Sequence, residues 1–136
     1  MRFRSEPSQI RGSIAPVVTP FTDDGEVDHP SLRRLVQWAL SEGSHGISIG
    51  GSTGEPSAQT IAERIELATL AREVIGKRTA LIVGLGAIRQ ADSITMAKAA
   101  AKLGASARIE EDERVLIATG GGESDMSVAT VVSRRP

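Results

Sequence analysis

Cysteine and tyrosine are absent from this chain of 136 residues, and aromatic residues make up only 2% of it. Lysine is scarce as well, being confined to Lys77, Lys98 and Lys102. Without cysteine there is neither a disulfide nor a thiolate metal site, and the composition suits a reducing compartment. Without tyrosine no phenol is available to relay a proton. Charge of one sign is not in excess either, with 16 basic against 17 acidic residues. That balance removes the electrostatic case for nucleic acid or an anionic membrane as partner. No apolar run approaches the roughly 20 residues of a bilayer span. The segment Met1–Pro7 carries charge with no apolar stretch behind it, which speaks against a secretory signal. The expectation is a soluble, cytoplasmic protein with one modest domain.

What is present is an alternation of short apolar runs and amphipathic segments. Ser13 to Phe21 is β-branched and apolar, the pattern of a buried strand, although Pro16 inside it cannot donate to a ladder. Asp23-Asp24-Gly25 signals a turn. A helix is then expected with Asp28 as its N-cap. Leu32, Leu35, Val36, Ala39 and Leu40 share one face, and Gly43 marks the stop. Gly46 to Gly50 reads as a second strand. Thr60 and Glu63 have the spacing of a capping box opening a second helix that ends at Gly76. This helix has two apolar stripes, one through Ile61, Ile65, Ala68 and Ile75 and one through Leu67, Leu70, Ala71 and Val74. So wide an apolar surface implies packing on a sheet and on neighbouring helices. Thr79 to Val83 is a third strand, followed by an alanine-rich helix from about Ala91 to Leu103. Such alternation argues for a parallel sheet covered by helices, an α/β fold.

The pattern breaks after Ala105. Where a fourth apolar strand belongs, the chain reads Arg108-Ile109-Glu110-Glu111-Asp112-Glu113-Arg114, the composition of solvated helix, linker or disorder. Val115 to Thr119 and Ser127 to Val132 are compatible with strands, separated by Gly120-Gly121-Gly122 as a flexible joint. The expected division is an N-terminal segment 1–11, an α/β domain 12–105 and a divergent tail 106–136. The tail is open to being disordered or read out of frame.

The richest loop follows the second strand. Ligands of parallel α/β proteins gather at the carboxyl ends of the strands. There Gly50, Gly51 and Gly54 let the backbone turn its amides inward, while Ser52 and Thr53 add hydroxyls. Free amides beside small hydroxyls can receive a carboxylate or oxyanion. By spacing alone, a plain turn is the better account of the loop.

Three blocks, Gly12-Ser13-Ile14 to Val18-Thr19-Pro20-Phe21, Gly51-Ser52-Thr53-Gly54-Glu55 and Gly84-Leu85-Gly86-Ala87, are similar in order and spacing to the opening of the dihydrodipicolinate synthase and N-acetylneuraminate lyase family. Leu32 to Val36 and Ala97 to Ala105 resemble its first and third helices. The resemblance implies a partial (β/α)8 TIM barrel of about three βα units, since a complete barrel takes roughly 250 residues. It also implies a class I aldolase that captures pyruvate as a lysine Schiff base, with no cofactor and no metal. The acceptor aldehyde would be aspartate semialdehyde in lysine biosynthesis, or the activity would be of the N-acetylneuraminate lyase type. Carried over by motif, Ser52 and Thr53 bind the pyruvate carboxylate, and the Ser52 hydroxyl occupies a proton-relay position. Gly51, Gly54 and Glu55 shape the loop. The family is homo-oligomeric.

The departures from that pattern are large. The relay tyrosines are missing, and the Schiff-base lysine lies beyond the matched units. Lys77 falls at a helix end, and Lys98 and Lys102 form an i, i+4 pair, so all three are expected to face solvent. A Schiff-base lysine needs a desolvated pocket or a neighbouring cation. The expectation is therefore a chain inactive alone, or a non-catalytic fragment acting only in assembly, prone to self-association or aggregation through open sheet edges. Weaker signals have plainer readings. Gly84-Leu85-Gly86-Ala87 lacks the third glycine of a dinucleotide fingerprint, with Arg89 in its place. His29 and His45 have no partner at metal-ligand spacing. Trp38 is assigned to packing.

Overall fold

In the computed structural model, the backbone is described for residues 12–105 and 107–109, and side chains for residues 12–105. Four strands, β1 (Ile14–Pro16), β2 (Gly46–Ile49), β3 (Ala80–Gly84) and β4 (Ala107–Ile109), form one parallel sheet in the order β1-β2-β3-β4. Three helices, α1 (His29–Ser41), α2 (Ile61–Ile75) and α3 (Gln90–Lys102), connect them in turn. Register is regular: Ile14 pairs with Gly46, Ile47 with Leu81 and Ile82 with Ala107.

The helices begin where local chemistry stops the preceding chain. Asp28 accepts from the Ser31 N–H at 3.0 Å and from the Ser31 hydroxyl at 2.6 Å, so one carboxylate satisfies an orphan donor of α1 and a side chain. Those two donors hold the Asp28 carboxyl below its ordinary value, the Ser31 hydroxyl having the larger effect. At α2 the capping box is complete, with Thr60 Oγ1 accepting from the Glu63 N–H and the Glu63 carboxylate accepting from the Thr60 N–H. Gly76 closes α2 with φ of 72°.

The core lies between sheet and helices. Leu32, Val36 and Ala39 of α1, Leu67, Leu70 and Ala71 of α2, and Met96 and Ala100 of α3 pack on Ile47, Ile49, Leu81 and Val83. Alternate strand residues thus face the helices, as the pleat requires. Both stripes of α2 are used, since this helix touches α1, α3, β2 and β3.

Four sequence expectations are corrected. The run Ser13–Phe21 forms a strand only at Ile14–Pro16, and Val17 adds one further bond to the Ser48 carbonyl at 3.0 Å. Beyond it the chain folds over the Asp23–Gly25 turn through an isolated bridge between Phe21 and Val27. A strand does follow Ala105: β4 pairs with β3 and places Arg108 opposite Val83. An edge strand of three residues is held by its main-chain ladder and requires no apolar run, so composition hid it. Trp38 is 60% exposed and does not serve as core packing. It lies off the Leu32–Val36–Ala39 stripe, one residue before the buried Ala39. Finally, the third strand runs over Ala80–Gly84, one residue further along than the expected Thr79 to Val83. The expectations for Val115–Thr119, Gly120–Gly122 and Ser127–Val132, and for segment 1–11, lie outside the described residues.

Candidate functional site

The end of the sheet that carries the glycine-rich loop is built by two backbones in contact. Strand β2 ends at Ile49, and Gly50 turns with φ of 72° beside Gly84. A Cβ on Gly84 would overlap the Gly50 carbonyl and come within 2.9 Å of the Gly51 nitrogen. Gly51, extended, then starts a 3-10 turn over Ser52–Gly54, closed by bonds from Gly54 N to Gly51 O at 2.8 Å and from Glu55 N to Ser52 O at 3.1 Å. Glu55 has φ 53° and ψ 55°, the left-handed conformation, and is alone among non-glycine residues described in having a positive φ. A second 3-10 turn, Pro56–Ala58, leads to Gln59 and the Thr60 cap of α2.

Long-range contacts anchor this loop. The Thr19 hydroxyl, buried near the start of the first βα connection, donates to the Gly54 carbonyl at 2.8 Å. Gln59 Nε2 donates to the same carbonyl at 2.7 Å and to Thr19 Oγ1 at 3.0 Å. From the first turns of α2, Arg64 extends its guanidinium to the neighbouring loop, donating to Gly84 O at 2.9 Å and Gly86 O at 2.8 Å. Its residue is only 4% exposed. A cleft of about 930 Å³ opens beside it, lined by Ser52, Glu55, Gln59, Arg64, Ile88 and Asp92 among others.

The sequence-derived residues Gly51, Ser52, Thr53, Gly54 and Glu55 thus occupy one turn at the carboxyl end of β2. Ser52 and Thr53 are exposed, Gly54 is buried, and Glu55 acts on the loop through its backbone. Among the described residues, the Ser52 and Thr53 N–H groups have no main-chain acceptor and their hydroxyls no partner, because they begin the 3-10 turn. Thr19, Gln59, Arg64 and Gly84 were not foreseen. Thr19 and Gly84 stand in the quoted blocks without a role assigned to them, and Arg64 left a signal of its own: it interrupts the apolar face of α2, three and four residues before Leu67 and Ala68.

The three lysines are all exposed, as expected. Lys77 follows the far end of α2, and Lys98 and Lys102 lie on α3. His45 Nδ1 accepts from the Ser13 N–H at 3.1 Å, and His29 approaches Glu66 at 3.4 Å. No group of three or more metal-ligating side chains occurs among the described residues, and no helix there is long and apolar enough to cross a membrane.

The parallel strand–helix sheet, with its candidate site at the carboxyl ends of the strands, is part of a (β/α)8 barrel. The model of the dihydrodipicolinate synthetase family matches residues 9–110, and the chain belongs to that family. It is 39% identical over 106 residues to the 4-hydroxy-tetrahydrodipicolinate synthase of Albidiferax ferrireducens, covering 78% of this chain and 36% of that protein. The synthase of Thermus thermophilus is 41% identical over 96 residues, covering 71% of this chain and 32% of the relative. Among solved structures, the chloride-inhibited dihydrodipicolinate synthase of Acinetobacter baumannii complexed with pyruvate superposes with a TM-score of 0.69 at 39% identity, over 74% of this chain and 35% of that one. N-acetylneuraminate lyase of Mycoplasma synoviae gives 0.68 at 29% identity, over 71% and 34%. The chain spans about a third of the length of the curated relatives it matches.

Proposed function

We propose that the Gly51–Glu55 turn is the carboxylate-receiving half of a pyruvate site in a lyase that joins pyruvate to aspartate semialdehyde through a lysine Schiff base. One observation carries this reading: two adjacent N–H groups, of Ser52 and Thr53, stand without main-chain acceptors at the carboxyl end of a barrel strand, each beside a hydroxyl. Paired amides and hydroxyls fixed in place bind a carboxylate without reorganising. The A. baumannii relative, which this chain resembles at 39% identity, is complexed with pyruvate. The setting of such chemistry is the cytoplasm.

Covalent capture needs an amine that can lose its proton inside a pocket. Lys77, Lys98 and Lys102 are exposed and stand away from the strand ends that carry the turn. The Schiff-base nucleophile, and the phenols of the relay at Ser52, therefore have to come from polypeptide other than these 136 residues. The test is a pyruvate titration of the 15N-labelled chain, followed by borohydride reduction and mass spectrometry. The amides of Ser52 and Thr53 are expected to shift while no reduced adduct forms. Unmoved amides would remove the carboxylate site, and an adduct on any of the three lysines would overturn the division of labour.

A further inference from the structure

We infer that Arg64 is a positioning residue for the Ser52–Thr53 amides, acting through the backbone contact between Gly84 and Gly50; its effect on pyruvate rests on the function proposed above. Four observations connect the two ends of this chain of contacts. The guanidinium spans the turn after β3 as a fork, with Nη2 on Gly84 O at 2.9 Å and Nη1 on Gly86 O at 2.8 Å. Between them Leu85 is fully buried in the core, so the turn is pinned from both sides. Gly84 in turn abuts Gly50 so closely that a Cβ on Gly84 would overlap the Gly50 carbonyl. Gly50 and Gly51 lead directly into the 3-10 turn whose first two N–H groups are those of Ser52 and Thr53.

Two parallel N–H donors from a planar cation fix orientation as well as distance, which a single point charge does not. The Gly84 carbonyl belongs to the last residue of β3, and Arg64 sets where that strand stops and the turn begins. Because backbone meets backbone at Gly84 and Gly50, a shift of one is passed to the other with no flexible side chain to absorb it. The fork of Arg64 is made to the turn after β3 and not to the Ser52–Thr53 turn itself. Its work is to hold the wall against which their turn is folded.

The test compares Arg64→Met, Arg64→Lys and Arg72→Met with the unaltered 136-residue chain, each 15N-labelled. Arg72 is the control because it lies on the same helix and also donates to main-chain carbonyls, but at the opposite end of the sheet. Arg64→Met is expected to move the amide resonances of Gly50, Gly51, Ser52 and Thr53 without ligand, and to weaken the pyruvate response about tenfold. Arg64→Lys, which keeps the charge and donors but not the planar fork, should move the same amides in the same sense by less. Arg72→Met should leave all four in place. Should Arg64→Met fail to fold, the lysine variant decides alone. Unmoved amides in a folded Arg64 variant, or equal movement in Arg72→Met, would overturn the inference. A chain whose Ser52 and Thr53 amides ignore pyruvate in the unaltered form would sink the functional reading, while the ligand-free comparison still decides the role of Arg64.

Discussion

Helix α2 carries two arginines eight residues apart, and each ties main-chain carbonyls at one end of the sheet. At the site end, Arg64 holds Gly84 and Gly86. At the far end, Arg72 donates from Nε to Leu103 O at 2.9 Å, from Nη2 to Gly104 O at 2.8 Å, and from Nη1 to Gly76 O at 2.7 Å and Thr79 O at 3.1 Å. Leu103 and Gly104 close α3, so Arg72 satisfies carbonyls that every helix end leaves over. Burial pulls the Arg72 guanidinium below its ordinary pKa. The device is the same at both ends. The difference lies in what remains: at the far end the loops are short and tied to helix termini, whereas at the site end a turn keeps two amides for an external acceptor. Rigidity near the site therefore comes from contacts around the turn.

Breaking that rigidity at its tightest point should have the largest effect. Gly84→Ala introduces a methyl where the Gly50 carbonyl already stands, and neither backbone can yield without loosening β2 from β3. Overpacking of this kind is expected to cost about 3 kcal/mol. Gly51→Ala makes the matched comparison. Its φ is −77° and nothing lies within 4 Å of the added carbon, so stability should stay within about 0.5 kcal/mol. Urea midpoints at an unchanged slope would measure both. Equal midpoints for the two variants would refute the close approach.

At the far end, Arg72→Met keeps much of the aliphatic stem and deletes the hydrogen bonds to four carbonyls. A loss of about 2 kcal/mol is expected, since the residue is partly solvated and water takes up some of the released acceptors. The last turn of α3 should open first. A rise in amide exchange over the unaltered chain that is larger at Leu103, Gly104 and Ala105 than at the hydrogen-bonded Gly54 and Glu55 would locate the damage there; the reverse order would show that the two ends of α2 are not independent.

The same contrast separates what could be read from residues alone from what could not. The caps at Asp28 and Thr60–Glu63 act within four residues, and the apolar periods of α1 and α2 repeat over several turns, so both were legible. Strands β2 and β3 are buried on both faces and announced themselves as continuous apolar runs. Strand β4 has three residues, too few for any period, and its place is set by pairing with β3. The Ser52–Glu55 turn was visible as a cluster of glycines and hydroxyls. Its supports were not, because Thr19 lies 35 residues from Gly54, and Arg64 lies 20 from Gly84. Spacing along a chain carries no record of such meetings. Gln59 is nearer, but a side-chain amide folding back on a carbonyl five residues earlier has no pattern of its own.

The smallest effect concerns pH at the entrance to α1. The Ser31 hydroxyl and N–H both donate to the Asp28 carboxylate and stabilise its charged form, so its pKa is lower folded than unfolded. A depressed carboxyl contributes stability that is complete above the unfolded pKa and disappears as pH falls through the folded one. Asp28→Asn keeps a good capping side chain and removes the titration. The difference in melting temperature between the unaltered chain and this variant should therefore be constant above the ordinary carboxylate range and shrink as the pH falls below it. A difference that held steady through acid would mean that the two Ser31 bonds do not distinguish the charged carboxylate from a neutral cap, and that α1 is fixed at its start by geometry alone.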